Sequence, residues 1–214
     1  MELLARVGER ETPRTALVLL EGVSDVAAVR ALASARGVDP QRIDLVDMGG
    51  VTNVRHALTE ATRRRPEADV VGLCDAGEAH FVIKALRAVG HPVRDASDLP
   101  AYGFFVCQSD LEDELIRALG TARTMAVVEK LGLSAKLATL RQQPAWQGRP
   151  LAHQLHRFCG VASGRKELLA GELAAALAPG EEPEPLRMLV ARMPQGLATP
   201  STAGERPWYW GGSR

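Results

Sequence analysis

The chain reads as an α/β protein whose mainly parallel, four-stranded sheet is flanked by helices and followed by a C-terminal helical extension. Three observations predict this. Short apolar runs alternate with helical patterns four times before Gly120, most of the runs and helices are bounded by turn or capping residues, and the strand signal stops after Gly120. Strands alternating with helices require right-handed crossovers, which lay successive strands parallel in one sheet.

Residues 17–21 (LVLLE) show little polar alternation, as a parallel strand buried on both faces should. Gly22 permits a tight turn and Ser24 is the expected N-cap of the next helix. Val26, Val29, Leu32 and Ala33 mark that helix's apolar face, and Gly37 ends it. The cycle repeats with residues 43–48 (IDLVDM), a Gly49-Gly50 turn, and a helix whose inner face is Val51, Val54 and Leu58. A third cycle joins residues 69–74 (DVVGLC) to a helix carrying Phe81, Val82, Ala85, Leu86 and Val89. The fourth joins residues 102–107 (YGFFVC) to a helix with Leu111, Leu115, Ile116 and Leu119.

Beyond this unit, 16–120, residues 121–178 read as a helical extension interrupted around Pro144 to Pro150. Residues 179–186 (PGEEPEPL) read as a linker, and the Gly, Pro, Ser and Thr content from Pro194 onward predicts a poorly ordered tail, so that 179–214 is linker and tail. Trp208, Tyr209 and Trp210 near its end suit packing on the body or an interaction equally well.

At 214 residues and 46% hydrophobic, the chain can bury a sizeable core. No apolar run approaches the ~20 residues that cross a membrane, and the N-terminus lacks a signal-peptide layout. Cys74, Cys107 and Cys159 have no C-x-x-C spacing, which suits neither a disulfide framework nor a zinc site. A reduced, cytoplasmic protein is the expectation. The net charge of zero hides an uneven distribution. Residues 1–116 hold 19 acidic and 13 basic side chains, whereas residues 117–170 hold 9 basic and 2 acidic ones. An acidic half beside a basic segment suits a metal site next to a polyanion-binding surface, and suits a solvated arginine-rich helical face equally.

Strand C-terminal ends in a parallel sheet line one edge, where ligand sites collect. Read in order, that edge carries Glu21 after the first strand, Asp75 after the third, and Asp110 with Glu112 after the fourth. Asp25 lies four residues after Glu21, in the first turn of the following helix. Converging carboxylates repel unless protonated or neutralised by a cation. Mg²⁺ takes hard oxygen ligands, and a pair of such ions can activate water and stabilise a leaving oxygen. Each residue also has a structural reading: Asp25 and Asp110 stand where helices start, and Glu112, Asp113 and Glu114 could form a solvated acidic turn.

Taken together, LVLLEGVSD (17–25), Gly49-Gly50, GLCDAGE (72–78) and FFVCQSDLEDEL (104–115) resemble the Toprim domain, in the variant of the OLD (overcoming lysogenization defect) nucleases. The resemblance covers about residues 16–120 and extends more weakly to QPAWQGR (143–149) and SGRKELLA (163–170). It implies a Toprim fold and metal-dependent cleavage of DNA phosphodiesters, with Mg²⁺ or Mn²⁺ as one or two bound ions. Glu21 becomes the Toprim glutamate, a metal ligand or general acid/base, and Asp25 its companion. Asp75 becomes the first aspartate of D-x-D, Asp110 and Glu112 the later acidic pair, and Lys166 the lysine beside the scissile phosphate. A surface lysine in a basic helix is the alternative reading of Lys166. Arg141, Arg149, Arg157 and Arg165 are the nucleic-acid-binding candidates of the basic segment.

Two departures stand out. Gly77 occupies the second position of D-x-D, so one carboxylate is missing, and Glu78 next to it is the candidate substitute ligand. OLD proteins carry an ATPase domain ahead of Toprim, yet no G-x-x-x-x-G-K-[ST] occurs here. The expectation is a stand-alone Toprim protein or one working with a separately encoded ATPase, a homo-oligomer remaining open.

His153 and His156 are expected as a surface pair, since no acidic or cysteine ligands lie near them in sequence. Arg63, Arg64 and Arg65 suit a helix end. Two readings of function remain, a metal-dependent DNA nuclease and a non-catalytic nucleic-acid-binding or regulatory module with an eroded site. Gly77 favours the second, and the EGxxD, Asp75 and DLED residues favour the first. A small-molecule phosphohydrolase would want a nucleophilic aspartate where Glu21 stands.

Overall fold

The computed structural model of the protein describes residues 15–160 and 163–196. Four parallel strands, β1 (Ala16–Leu20), β2 (Ile43–Asp47), β3 (Asp69–Asp75) and β4 (Phe104–Cys107), pair in the order β2-β1-β3-β4. Helix α1 (Val23–Ala35) joins β1 to β2. A 3₁₀ turn at Val51–Asn53 and helix α2 (Val54–Arg64) join β2 to β3, and α3 (Ala79–Ala88) with a 3₁₀ segment at Ala96–Tyr102 joins β3 to β4. The winding therefore reverses between β1 and β3, a topological switch point at the sheet's centre.

Side-chain alternation along β1 divides the core. Leu17 and Leu19 face α2 and α3, joining Val54, Leu58, Val82, Leu86 and Phe104 in one cluster. Val18 and Leu20 face the other way, onto α1 and the C-terminal helices α4 (Leu111–Lys130), α6 (Leu151–Gly160), α7 (Ser163–Ala175) and α8 (Glu184–Ala191). Both faces are thus covered, which explains why all five residues of β1 are buried. Each of these buried aliphatic side chains contributes about 1.5–3 kcal/mol. Gly72 in β3 is required by packing: a Cβ there would meet the Leu19 carbonyl oxygen at 2.7 Å and the Phe104 ring at 2.8 Å.

The basic extension is part of this core. Helix α7 lies along α1, with Gly171 against Ala27, and it buries Leu169, Ala170, Leu173 and Ala174. Helix α6 adds Leu155, Phe158 and Cys159, while α5 (Ser134–Arg141) adds Leu137 and Leu140. Helix α4 runs through the 120/121 boundary and is broken there by Gly120, whose φ of 73° and ψ of 163° suit glycine.

Several local expectations are corrected. Residue Ser24 is not the N-cap of α1; Gly22 is, and Ser24 is buried inside the first turn. Strand β4 begins at Phe104, because Tyr102 ends a 3₁₀ segment that Gly103 terminates with a φ of 83°. Residues 179–196, expected as linker and tail, carry α8, which Pro183 precedes. Buried Leu186, Leu189, Val190 and Met193 hold it on the sheet side, and Gln195 bridges to Val38. Trp208, Tyr209 and Trp210 lie outside the described residues. All three cysteines are free and buried, and burial pushes the Cys74 and Cys159 thiols up to about 12. Among the described residues no helix is long and apolar enough to cross a membrane.

Candidate metal centre

The switch point between β1 and β3 puts Glu21 and Asp75 side by side, since β1 and β3 pair directly and both residues stand at strand ends. The surrounding backbone is fixed. Gly50 N–H donates to the Glu21 carbonyl at 2.8 Å, and Ala76 N–H donates to the Cys107 carbonyl at 2.8 Å. A turn after β3, closed by Glu78 N–H donating to the Asp75 carbonyl at 2.9 Å, folds Glu78 back over the strand end. As a result, carboxylate oxygens of Glu21, Asp75 and Glu78 lie within 4.8 Å of one another. Glu78 Oε2 is buried without a hydrogen-bond partner.

Beside this trio lies a cleft of about 80 Å³ lined by Glu21, Asp25, Asp75, Asp110, Glu112 and Lys166. All six catalytic and metal-ligand candidates of the sequence are therefore together, and Glu78 adjoins them. Asp25, at the third position of α1, accepts a hydrogen bond from Gly22 N–H at 3.3 Å, so it also serves the helix start. Asp110 is the N-cap of α4: its Oδ1 accepts from Asp113 N–H at 2.8 Å. Its structural reading and its place in the cleft hold at once. Glu112 is only 3% exposed and its Oε1 has no hydrogen-bond partner; Lys166 Nζ, from α7, stands 3.4 Å from that oxygen as an ion pair. Next to Asp113 in this acidic turn, Glu114 faces away and pairs with Arg117, while its Oε1 accepts from Gln108 N–H at 2.9 Å.

One participant is not apparent from sequence spacing. His156 Nε2 lies 2.6 Å from Asp110 Oδ2, with His156 reaching over from α6. The surface-pair expectation fails for His156, while His153 is exposed. The partner sits 46 residues away, so only packing of α6 on α4 reveals it.

Charge crowding leaves its mark. Burial, a carboxyl–carboxyl hydrogen bond with Glu78, and the charges of Glu78, Asp25 and Asp75 push Glu21 up to about 7. Burial and the surrounding carboxylates, Asp110 foremost, push Asp75 up to about 7. Asp25 rises to about 6, through burial and Glu112, against the opposing pull of Lys166. Burial raises Glu112 too, opposed first by Lys166. Burial alone would lower the Lys166 ammonium, but Glu112 and Asp25 outweigh it and hold the group above its ordinary value. Such raised carboxylates mark a site that favours an added cation or protons. The donor set is all hard oxygen, and the buried Glu78 Oε2 lacks a hydrogen-bond partner, so the residues fit a divalent cation of the Mg²⁺ or Mn²⁺ type.

The basic candidates divide. Arg141 donates to Gln154 Oε1 at 2.9 Å, and Arg165 stacks 4.2 Å over the Phe158 ring. Arg157 is exposed, 5.8 Å over Trp146, and Arg149 is exposed on the loop before α6. Arg63 and Arg64 pair with Glu60, and Arg65 with Asp44, as a helix end would have it.

The chain matches solved structures over most of its length. The C-terminal region of the Xanthomonas campestris pv. campestris OLD protein superposes with a TM-score of 0.60 at 22% identity, covering 84% of this chain and 92% of that one. The C-terminal region of the Burkholderia pseudomallei OLD protein gives 0.58 at 20% identity, covering 82% and 95%. The fold is that of the OLD C-terminal region. It agrees with the Toprim architecture that the sequence resemblance implies, and coverage of more than four fifths of the chain takes the match beyond the length of the 16–120 unit. No family model and no curated protein matches the sequence.

Proposed function

We propose that this OLD-like chain is a divalent-metal-dependent nuclease that hydrolyses DNA phosphodiester bonds, using Mg²⁺ or Mn²⁺. The observation that carries the reading is the convergence of Glu21, Asp75 and Glu78 at the switch point, beside a cleft that also contains a lysine. Glu21, Asp75 and Glu78 would hold the ion. When bound, it supplies Lewis-acid polarisation of the phosphate and a more acidic water. Lys166 Nζ places a fixed positive charge in the same cleft, where it stabilises negative charge developing on the phosphoryl oxygens. His156 and the α4 cap orient Asp110, and exposed Arg149 and Arg157 offer phosphate contacts along the strand.

Gly77 favours a second reading, a DNA-binding module without activity. Against it stands Glu78, whose carboxylate lies within 4.8 Å of those of Glu21 and Asp75. Space is not the obstacle at Gly77, because a Cβ there would meet nothing within 4 Å. The test is incubation of supercoiled plasmid with the protein in Mg²⁺, Mn²⁺ or EDTA, beside Glu21→Ala. Nicking that requires metal and Glu21 is expected. Absence of nicking in both metals, with DNA binding retained, would favour the module, and gain of activity in Gly77→Asp would show that a ligand is limiting.

A further inference from the structure

The cleft has two unequal halves. In the first, Glu21, Asp75 and Glu78 crowd together with no basic side chain paired to them among the described ion pairs, and Glu78 Oε2 is a buried orphan. In the second, the acidic groups already have internal donors. Asp25 takes the Gly22 N–H, and Asp110 takes both the Asp113 N–H and the His156 ring. Glu112, 3% exposed, has the Lys166 ammonium at 3.4 Å. Among the described residues, Asp25, Asp110 and Glu112 form no three-ligand group of their own.

We infer that Lys166 is the built-in cation of the second half, so that the chain takes one divalent ion, at Glu21, Asp75 and Glu78, where the cleft's acidic content alone would suggest two. The inference rests on the metal-dependent reading above and assigns its stoichiometry and the role of one residue. An ammonium 3.4 Å from Glu112 already neutralises the carboxylate that a second ion would need. Like charges repel at that range, so ammonium and divalent ion compete for the same oxygens. The arrangement is built into the fold, because α7 is anchored on α1 by Leu169 and Leu173, both fully buried. The Lys166 side chain is 42% exposed, which leaves its outer side open to a phosphate oxygen.

Removing the ammonium should therefore create a site. Glu112, left buried and unpaired with Asp25 and Asp110 nearby, would recruit a cation in its place. The experiment counts Mn²⁺ bound per chain, by the loss of the free-ion EPR signal during titration, for wild type, Lys166→Met and Lys166→Gln. One ion is expected on the wild type and two on each variant, the added ion disappearing in Lys166→Met combined with Glu112→Gln. Unfolding midpoints give a second readout: saturating Mn²⁺ should raise that of Lys166→Met by several degrees more than that of wild type. Glu112→Gln alone should keep its single ion, a result that does not depend on how well the Lys166 variants fold. Two ions on the wild type, no added ion on folded Lys166 variants, or loss of the single ion in Glu112→Gln would each overturn the assignment. Failure of the nuclease reading looks different: one ion binds as described and plasmid stays intact. Absence of any bound ion overturns both.

Discussion

Glu21 and Asp75 stand on adjacent strand ends, whereas Lys166 lines the same cleft from α7 and His156 contacts its Asp110 from α6, both far along the chain. The strand-borne half is placed by topology: once β1 and β3 are neighbours, their C-terminal residues cannot be far apart. The helix-borne half is placed by packing, through buried Leu155, Phe158, Leu169 and Leu173. The first half is crowded with negative charge that no described ion pair offsets, whereas the second carries its own cation, Lys166 beside Glu112. A site assembled this way loses its charge balance if the helices shift, and its ligands if the strand ends change.

The largest effect should come from the strand-borne half. Asp75→Ala is expected to reduce metal-dependent plasmid nicking by ~10³-fold, about 4 kcal/mol of transition-state stabilisation, with the circular dichroism spectrum unchanged. A drop of only a few-fold would move the chemistry away from the strand ends. Next comes the packing that positions the other half. Leu173→Ala should cost about 3 kcal/mol by cavity formation and lower a single cooperative unfolding transition, since α7 shares its core with β1. Two separate transitions would show the extension to be an independent domain.

His156→Ala is a smaller perturbation, because Asp110 keeps its cap bond to Asp113. Nicking should fall by about 3–10-fold and stability by about 1 kcal/mol, both measured beside His153→Ala, which should change neither.

The pH response is the gentlest effect and is shared by both halves, since Asp25 also rises, to about 6. Glu21 and Asp75 are each raised to about 7 in the folded chain. Between their ordinary values and about 7 the folded metal-free protein therefore binds more protons than the unfolded chain, and its stability falls as pH rises through that window. A carboxylate held below its ordinary value by its partners would act in the opposite direction. Thermal midpoints in EDTA should decline from about pH 5 to about pH 8, less steeply for Asp75→Asn, and Mn²⁺ should counteract the decline. A midpoint that rises over the same range contradicts the charge crowding.

Much of this was legible in the sequence, for definable reasons. A buried parallel strand leaves an uninterrupted apolar run, so residues 17–20 and the acidic residue after them could be read directly, as could Asp75 after LC. The resemblance to OLD proteins then connected Asp25, Asp110, Glu112 and Lys166, all of which line the cleft. One feature was legible only as a candidate, and two could not be read this way. Glu78 depends on the path of a three-residue turn, which residue types alone leave open. The His156–Asp110 contact depends on how two helices pack. Helix α8 follows a Pro- and Glu-rich stretch that composition marks as linker, and its burial of Leu186, Leu189 and Val190 overrides that local signal.

The central claim is that the strand-end carboxylates hold the ion on which cleavage depends, with Glu78 replacing the ligand absent at Gly77. It is tested most directly by titrating Mn²⁺ and recording ion occupancy and nicking rate in parallel, for wild type and Glu78→Gln. Both midpoints should coincide in each protein and shift together, by ~10-fold to higher Mn²⁺, in Glu78→Gln. Nicking that persists in EDTA, or midpoints that stay at the wild-type value in Glu78→Gln, would contradict it.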